Sequence, residues 1–177
     1  FKKSENNSNV VFLGSYMEPD TKYMINLASG FDKVLFKNHP AINIKNFGVL
    51  KANIEVVNTN IYELFNETNL IVTPAGTGTA LEAVSCGLSV IIIASHNNFT
   101  ANPLIEYGKG KIWEIAFGED DIKRVYKILE EYRKNNIEEL AEISMWYKCN
   151  FFIEPSEENI VNAFSLNKSV LIETIEK

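Results

Sequence analysis

Short apolar runs alternate with helix-like segments along the first 118 residues of the chain. We predict six strands there, at 10–13, 33–37, 54–57, 70–73, 88–94 and 111–115. The intervening helices are predicted at 19–29, 61–65 and 79–86, the last of them ending at Gly87. This alternation is typical of βαβ units with a parallel sheet. The run 88–94 is the most apolar and is expected to be central in a sheet that is covered on both faces.

The pattern after residue 118 is entirely helical. Two amphipathic helices are indicated by apolar stripes, the first at Ile122, Val125, Leu129 and Tyr132 and the second at Ile137, Leu140, Ile143 and Tyr147. Further helices are predicted at 156–166 and 168–177. We therefore expect a flexible lead-in at 1–9 and one Rossmann-like α/β domain at 10–177. That domain would have a core at 10–118, with about six parallel strands flanked by helices, and a helical C-terminal cover at 119–177.

Composition narrows the function classes. The 177 residues include 17 basic and 23 acidic ones, a net charge of −6, and no basic face that would suit a nucleic acid. The longest apolar run, 90–94, is far shorter than the roughly 20 residues that span a bilayer. Cys86 and Cys149 suit a reducing compartment, with buried thiols as the default. We expect a soluble, cytoplasmic protein that binds no nucleic acid.

Motifs for metal and hydrolase chemistry are missing from the sequence. The two histidines, His39 and His96, are far apart, and neither has a cysteine or carboxylate at metal-ligand spacing. Neither a Gly-x-Ser-x-Gly elbow nor a His-Glu-x-x-His helix occurs. We expect no metal site.

The strongest candidate for a ligand site is the loop Thr73-Pro-Ala-Gly-Thr-Gly-Thr79, which leads directly into a predicted helix. Glycines at 76 and 78 allow a ligand to approach the backbone. Thr79 and Glu82 have capping-box spacing, which predicts Thr79 as the N-cap. Free amides at such a helix start favour a phosphate or carboxylate. The alternatives are a turn that only reverses the chain and a Glu82 that only caps the helix.

Three other loops follow predicted strands, at 14–16, 38–40 and 95–102, and are expected at the same edge of the sheet. His39 precedes Pro40 in the second of them. It is either a phosphate ligand or a histidine satisfied within its turn. His96 is expected to be solvated.

These residues carry a resemblance to a known family. The segment Gly76-Thr-Gly-Thr79-Ala-Leu-Glu82, followed by Gly87-Leu-Ser, resembles the donor-binding segment of GT-B glycosyltransferases, in particular the MurG-like branch. The stretch that begins at Asn102-Pro and ends at Gly108 is similar to a second motif of that branch. Phe36-Lys-Asn-His39-Pro40 resembles a segment of capsule-polysaccharide and CDP-glycerol-type transferases. Together these segments lie within residues 10–118.

The resemblance implies a nucleotide-sugar site. Glu82 would hold the ribose hydroxyls, Thr77, Gly78 and Thr79 the diphosphate, and His39 the phosphates or the leaving oxygen, while Gly14, Ser15, Gly76 and Asn102 would border the same cleft. The chain contains no glutamine, so Asn97 or Asn98 would replace the glutamine that contacts the sugar in that branch. GT-B enzymes need no metal or other cofactor, and none is expected here.

The function implied is the donor-binding domain of a glycosyltransferase for surface-polysaccharide or glycoconjugate synthesis. Its partners would be a nucleotide sugar, a glycan or lipid-linked acceptor, and the N-terminal GT-B half. This chain, which starts at Phe1, is too short to include that half. A lipid-linked acceptor would bring the full-length enzyme to the inner face of the membrane. The alternatives are a sugar-nucleotide epimerase or hydrolase, a CDP-alcohol phosphotransferase, and a non-catalytic α/β binding module.

Overall fold

The computed structural model of the protein describes residues 10–95 and 100–164. Within these ranges the strands are β1 (Val10–Leu13), β2 (Val34–Lys37), β3 (Ile54–Val57), β4 (Leu70–Pro74), β5 (Ser89–Ile93) and β6 (Trp113–Ala116). The helices are α1 (Glu18–Ala28), α2 (Ile61–Leu64), α3 (Thr79–Ser85), α4 (Glu119–Asn135), α5 (Ile137–Phe151) and α6 (Glu157–Ala163), and a 3-10 helix covers Ile44–Phe47. The predicted lead-in at 1–9 and the predicted helix at 168–177 lie outside the described residues.

The six strands form one parallel sheet in the order β3-β2-β1-β4-β5-β6. Val11 of β1 lies opposite Leu35 of β2 on one side and Ile71 of β4 on the other. The direction of winding therefore reverses between β1 and β4. Open α/β sheets bind ligands at such a switch point, beyond the carboxyl ends of the strands. The predicted Rossmann-like fold class is confirmed.

Helices cover both faces of the sheet, because alternate strand residues point to opposite sides. On one face, Val11 and Ile71 pack with Ala83 of α3 and with Leu140 and Ile143 of α5. On the other, strand residues such as Phe12 pack with α1 and α4, which bury Met24, Leu27, Ile122 and Leu129 there. All five residues of β5 are buried, as the apolar run predicted. β5 lies next to the edge strand β6, however, and the central pair is β1 and β4.

Arg133 of α4 forms hydrogen bonds with residues at the amino end of β5. Its guanidinium donates to the Gly87 carbonyl at 2.7 Å and to the Ser89 hydroxyl at 3.0 and 3.2 Å. No carboxylate pairs with it within the part of the chain that the structure describes, and desolvation lowers the pKa of Arg133 to about 10. The arginine therefore stabilises the fold through hydrogen bonds to two buried groups.

Replacing Arg133 with alanine is expected to lower the free energy of unfolding by about 2–3 kcal/mol, since the buried Gly87 carbonyl and Ser89 hydroxyl lose their charged donor. Arg124→Ala is the matched control. Arg124 pairs with Asp121 on the surface, and such pairs contribute less than about 1 kcal/mol. Urea denaturation of both variants measures the difference. Equal effects would show that the buried contacts of Arg133 add nothing to stability.

Two predictions about the chain's local structure were wrong. β6 begins at Trp113 rather than at residue 111, because the Lys111 N–H donates to the Gly108 carbonyl at 3.1 Å and closes a turn there. Cys86 and Cys149 are both exposed rather than buried. Cys86 lies at the carboxyl end of α3, and Cys149 is off the buried stripe of α5.

Candidate functional site

The loop after β4 lies at the switch point and contains both glycines of the predicted site. Gly76 has a φ of +81°, and its N–H donates to the Ala101 carbonyl at 2.9 Å. This bond joins the loop to the segment that follows β5. Gly78 has an ordinary φ of −62°, and no described atom lies within 4 Å of the position that a Cβ would occupy. Neither backbone conformation nor packing therefore requires a glycine at position 78. A ligand that approaches the backbone would require one, because a side chain would block its approach.

The start of α3 differs from the predicted capping box. Gly78 is the N-cap and Thr79 is the first helical residue, so the prediction of Thr79 as the N-cap was wrong. No side chain caps this helix start; the Thr77 hydroxyl oxygen only accepts a long bond of 3.4 Å from the Thr79 N–H. Among the described residues, none accepts a hydrogen bond from the backbone N–H of Thr77 or Gly78. Two amides and the positive end of the helix dipole are thus available to an anion.

Glu82 is half-buried on the first turn of α3, and no side-chain hydrogen bond caps the start of that helix. Its negative charge acts on the hydroxyl of Tyr62 in α2. The negative charge of Glu82 is the main cause that raises the pKa of this hydroxyl, followed by desolvation. Because Gly78 rather than Thr79 is the N-cap and no side chain caps the helix start, the capping-box interpretation of Glu82 was wrong.

Gly14 and Ser15 form a tightly bonded turn after β1. A Cβ on Gly14 would lie 3.1 Å from Asn38 Oδ1 and 3.2 Å from His39 N, so this turn packs directly against the loop after β2. Ser15 is buried; its N–H donates to Thr21 Oγ1 at 3.0 Å, and the Thr21 hydroxyl donates back to the Ser15 carbonyl at 2.8 Å. These bonds fix one border of the switch-point crevice.

His39 lies in the loop after β2, one strand further from the switch point. Its Nδ1 accepts a bond of 3.2 Å from the Ala41 N–H, which leaves Nε2 as the ring nitrogen that can reach a ligand. The ring edge approaches Tyr16, with 6.4 Å between centroids. Lys37 at the end of β2 donates to the Asn58 carbonyl at 3.2 Å. His39 thus accepts a hydrogen bond within its own turn through Nδ1, and its Nε2 can still bind a ligand.

The segment after β5 contains the remaining predicted residues. Asn102 Oδ1 accepts from the Leu104 N–H at 2.9 Å, so this side chain closes a local turn beside the β4 loop. Asn97, Asn98 and His96 lie outside the described residues.

The structure thus gathers the predicted residues into two groups on either side of the switch point. Gly14, Ser15 and His39 belong to the loops after β1 and β2, whereas Gly76, Thr77, Gly78, Thr79, Glu82 and Asn102 belong to α3 and the loops after β4 and β5. No motif in the sequence pointed to Tyr62, whose hydroxyl has its pKa raised by the charge of Glu82. The two residues lie twenty positions apart, in separate helices.

Residues 10–95 and 100–164 contain neither a cluster of metal ligands nor a membrane-spanning helix. No three histidine, cysteine, aspartate or glutamate side chains there are grouped so that they could hold a metal ion. No helix in these ranges is both long and apolar enough to cross a membrane.

Comparison with solved structures identifies the fold. The glycotransferase of kitacinnamycin aligns with a TM-score of 0.55 and 16% identity over 83% of this chain. The glycosyltransferase SnogD from Streptomyces nogalater aligns with a TM-score of 0.51 and 18% identity over 82%. The fold is that of part of a GT-B glycosyltransferase. The calicheamicin glycosyltransferase CalG4 shares it, with a TM-score of 0.50 and 14% identity over 86% of this chain.

The likeness to these GT-B enzymes is one of fold alone, because all three identities are below 20%. The chain spans less than half of their length, at 41%, 43% and 45%. No protein-family model matches the sequence, and no curated protein matches it.

Proposed function

We propose that this chain is the nucleotide-sugar-binding part of a glycosyltransferase. The observation that carries the proposal is the loop from Gly76 to Thr79. It lies at the switch point of a GT-B-like sheet, offers two backbone amides without described acceptors, and contains a glycine with open space around it. Such a loop suits the diphosphate of an activated sugar.

The proposed roles follow from the two groups of residues. The amides of Thr77 and Gly78 and the Thr79 hydroxyl bind the diphosphate. Glu82, one helical turn further, accepts hydrogen bonds from the ribose hydroxyls. His39 donates from Nε2 to a phosphate or to the leaving oxygen.

Gly14 and Ser15 form the opposite border of the cleft. Asn98 and Asn102, which follow β5 in the sequence, are assigned to the sugar.

The proposed reaction is displacement of a nucleoside phosphate by an acceptor hydroxyl. The bond between the anomeric carbon and the phosphate oxygen breaks, and a bond from that carbon to the acceptor oxygen forms. The acceptor's proton passes to a base on the other half of the enzyme. This chain stabilises the negative charge that develops on the departing phosphate. The proposal assigns no metal or other cofactor, since amides, hydroxyls and the helix dipole supply the donors.

The biological setting is also part of the proposal. The resemblance of Phe36–Pro40 to capsule-polysaccharide transferases supports a role in surface-polysaccharide synthesis. The acceptor would be a glycan or a lipid-linked glycan. The reaction would take place in the cytoplasm, where nucleotide sugars would serve as donors, at the inner face of the membrane if the acceptor is lipid-linked.

An amide-shift NMR titration with UDP, CDP, CMP, GDP and ADP tests the proposal. One nucleotide is expected to shift the amides of Gly76–Glu82 and His39 at millimolar concentration. Glu82→Gln should weaken that nucleotide roughly tenfold, because charge-assisted bonds to ribose are lost.

Glu138→Gln is the control, since Glu138 is exposed on α5 and should leave affinity unchanged. CDP-glycerol in the same series tests the phosphotransferase alternative, which predicts tighter binding of CDP-glycerol than of any sugar nucleotide. No shift with any ligand would contradict the proposal and favour a non-catalytic module.

A further inference from the structure

A groove lies between helix α1 and the 3-10 helix at Ile44–Phe47. Its volume is about 580 Å³, within the range of roughly 300–1,000 Å³ that is usual for small-molecule sites. The connection from β2 to β3 contains only this one-turn helix, whereas the connection from β1 to β2 contains the whole of α1. Crossovers between parallel strands usually carry a longer α-helix. The short one therefore leaves open space beside α1.

The floor of this groove is apolar. Ile25 of α1 is buried there, and Phe47 of the 3-10 helix is half-buried and packs against the same core cluster. Pro19, in the first turn of α1, adds further apolar surface. Because Phe47 is anchored in the core and also lines the groove, it offers a ligand an aromatic surface that is fixed in place.

Four exposed polar residues also line the groove: Glu18, Lys22 and Asn26 of α1, and Asn46 of the 3-10 helix. The three residues of α1 are spaced four apart, so they form a row about 12 Å long on one face of the helix. The spacing of Glu18 and Lys22 permits an ion pair, but none joins them. Within the described ranges none of the four side chains has a hydrogen-bond or ion-pair partner.

This combination of groups suits a neutral ligand with many hydroxyls. A carboxylate accepts hydrogen bonds, an ammonium group donates them, and side-chain amides do both, so sugar hydroxyls can pair with every one of these side chains. The charges of Glu18 and Lys22 cancel, which gives the groove no preference for a phosphate or another anion. The C–H face of a sugar ring would bury apolar surface against Phe47.

The Glu18 end of the groove adjoins the proposed nucleotide-sugar cleft. Ser15 borders that cleft, and its Oγ accepts a bond of 3.1 Å from the N–H of Met17, the residue before Glu18. We propose that the groove binds the acceptor, a neutral oligosaccharide whose chain extends from the cleft along α1 toward Asn26. The acceptor role rests on the proposed function, whereas glycan binding in the groove does not.

An amide-shift NMR titration of the chain with maltohexaose, cellohexaose and chitohexaose tests the inference. At least one of these neutral glycans is expected to shift the amides of Lys22, Asn26 and Asn46 at millimolar concentration. Asn26→Ala and Asn46→Ala should each weaken that glycan about three- to tenfold, which corresponds to one lost hydrogen bond. Alanine is a good helix former, so Asn26→Ala should leave α1 intact.

Asn162→Ala is the matched control, because Asn162 is exposed on α6, outside the groove, and should leave glycan affinity unchanged. Neither groove variant should alter the shifts that a nucleotide causes at Gly76–Glu82. The glycan should also bind when the nucleotide is saturating, since the two ligands would occupy adjoining sites.

The other outcomes separate this inference from the proposed function. If none of the three glycans causes shifts, or if the shifts centre away from the groove, the inference is overturned and the proposed function stands. Groove variants that lose no more affinity than Asn162→Ala, or competition between glycan and nucleotide, also overturn the inference. A chain that binds glycan in the groove but binds no nucleotide overturns the proposed function, and the acceptor role with it.

Discussion

Gly78→Val is expected to abolish nucleotide binding while the protein remains folded. The position has a φ of −62°, which valine adopts, and no described atom lies within 4 Å of the added Cβ. Valine is a poorer N-cap than glycine but restricts the unfolded chain more, so the free energy of unfolding should change by no more than about 1 kcal/mol. The new side chain would stand over the amides of Thr77 and Gly78, and we expect affinity for the nucleotide to fall by more than about tenfold.

NMR titration and urea denaturation of the same sample give both quantities. Gly78→Ala provides a graded comparison and should weaken binding less than valine does. Wild-type affinity in Gly78→Val would mean that these amides do not hold the phosphate. Unfolding of both variants would mean that α3 needs a glycine at its start despite the open space around Gly78.

Gly108→Ala is expected to cause the largest loss of stability, about 3 kcal/mol or more. Gly108 has a φ of +81°, where an alanine costs roughly 1–2 kcal/mol. Its Cβ would also lie 2.8 Å from Ile143 Cγ2 and 3.0 Å from Ile112 Cγ2, both of them buried. Overpacking of this kind costs about 1–3 kcal/mol more.

Gly48→Ala is the matched control, because Gly48 has a φ of +72° and no described atom within 4 Å of an added Cβ. It should show the backbone strain alone. Urea denaturation of the two variants then gives the cost of the overlap as their difference. Equal stabilities would mean that α5 moves away from the Gly108 turn at no cost.

The sheet could be predicted from the sequence because buried parallel strands leave short apolar runs between turn residues. β3 was predicted at its observed bounds, and the end of α3 at Gly87 was predicted from a residue that does have a φ of +84°. These features depend on local patterns. The start of β6 was predicted two residues too early, although Gly108 and Gly110 precede it and both have a positive φ; the turn that they form includes Lys111.

The candidate site was predictable only as a set of loops. The spacing of Thr79 and Glu82 fitted a capping box, but the N-cap of α3 is Gly78 and no side chain caps the helix start. The surroundings of Glu82 depend on how other segments pack against α3, which a single-segment pattern does not contain. The same holds for Ser15, whose bonds to Thr21 were not foreseen.

The order of strands also governs when the site can come into existence. β1 pairs with β4, so that Val11 lies against Ile71, and the crevice opens between the loops that leave these two strands. Pairing β1 with β4 closes a longer loop than pairing β1 with β2 and therefore costs more chain entropy. A nascent or partly folded chain in which only β1–β3 have formed lacks the Gly76–Thr79 side of the proposed site. Binding of the proposed nucleotide would therefore require the joined sheet, and nucleotide added during refolding would stabilise only those chains in which β1 and β4 have paired.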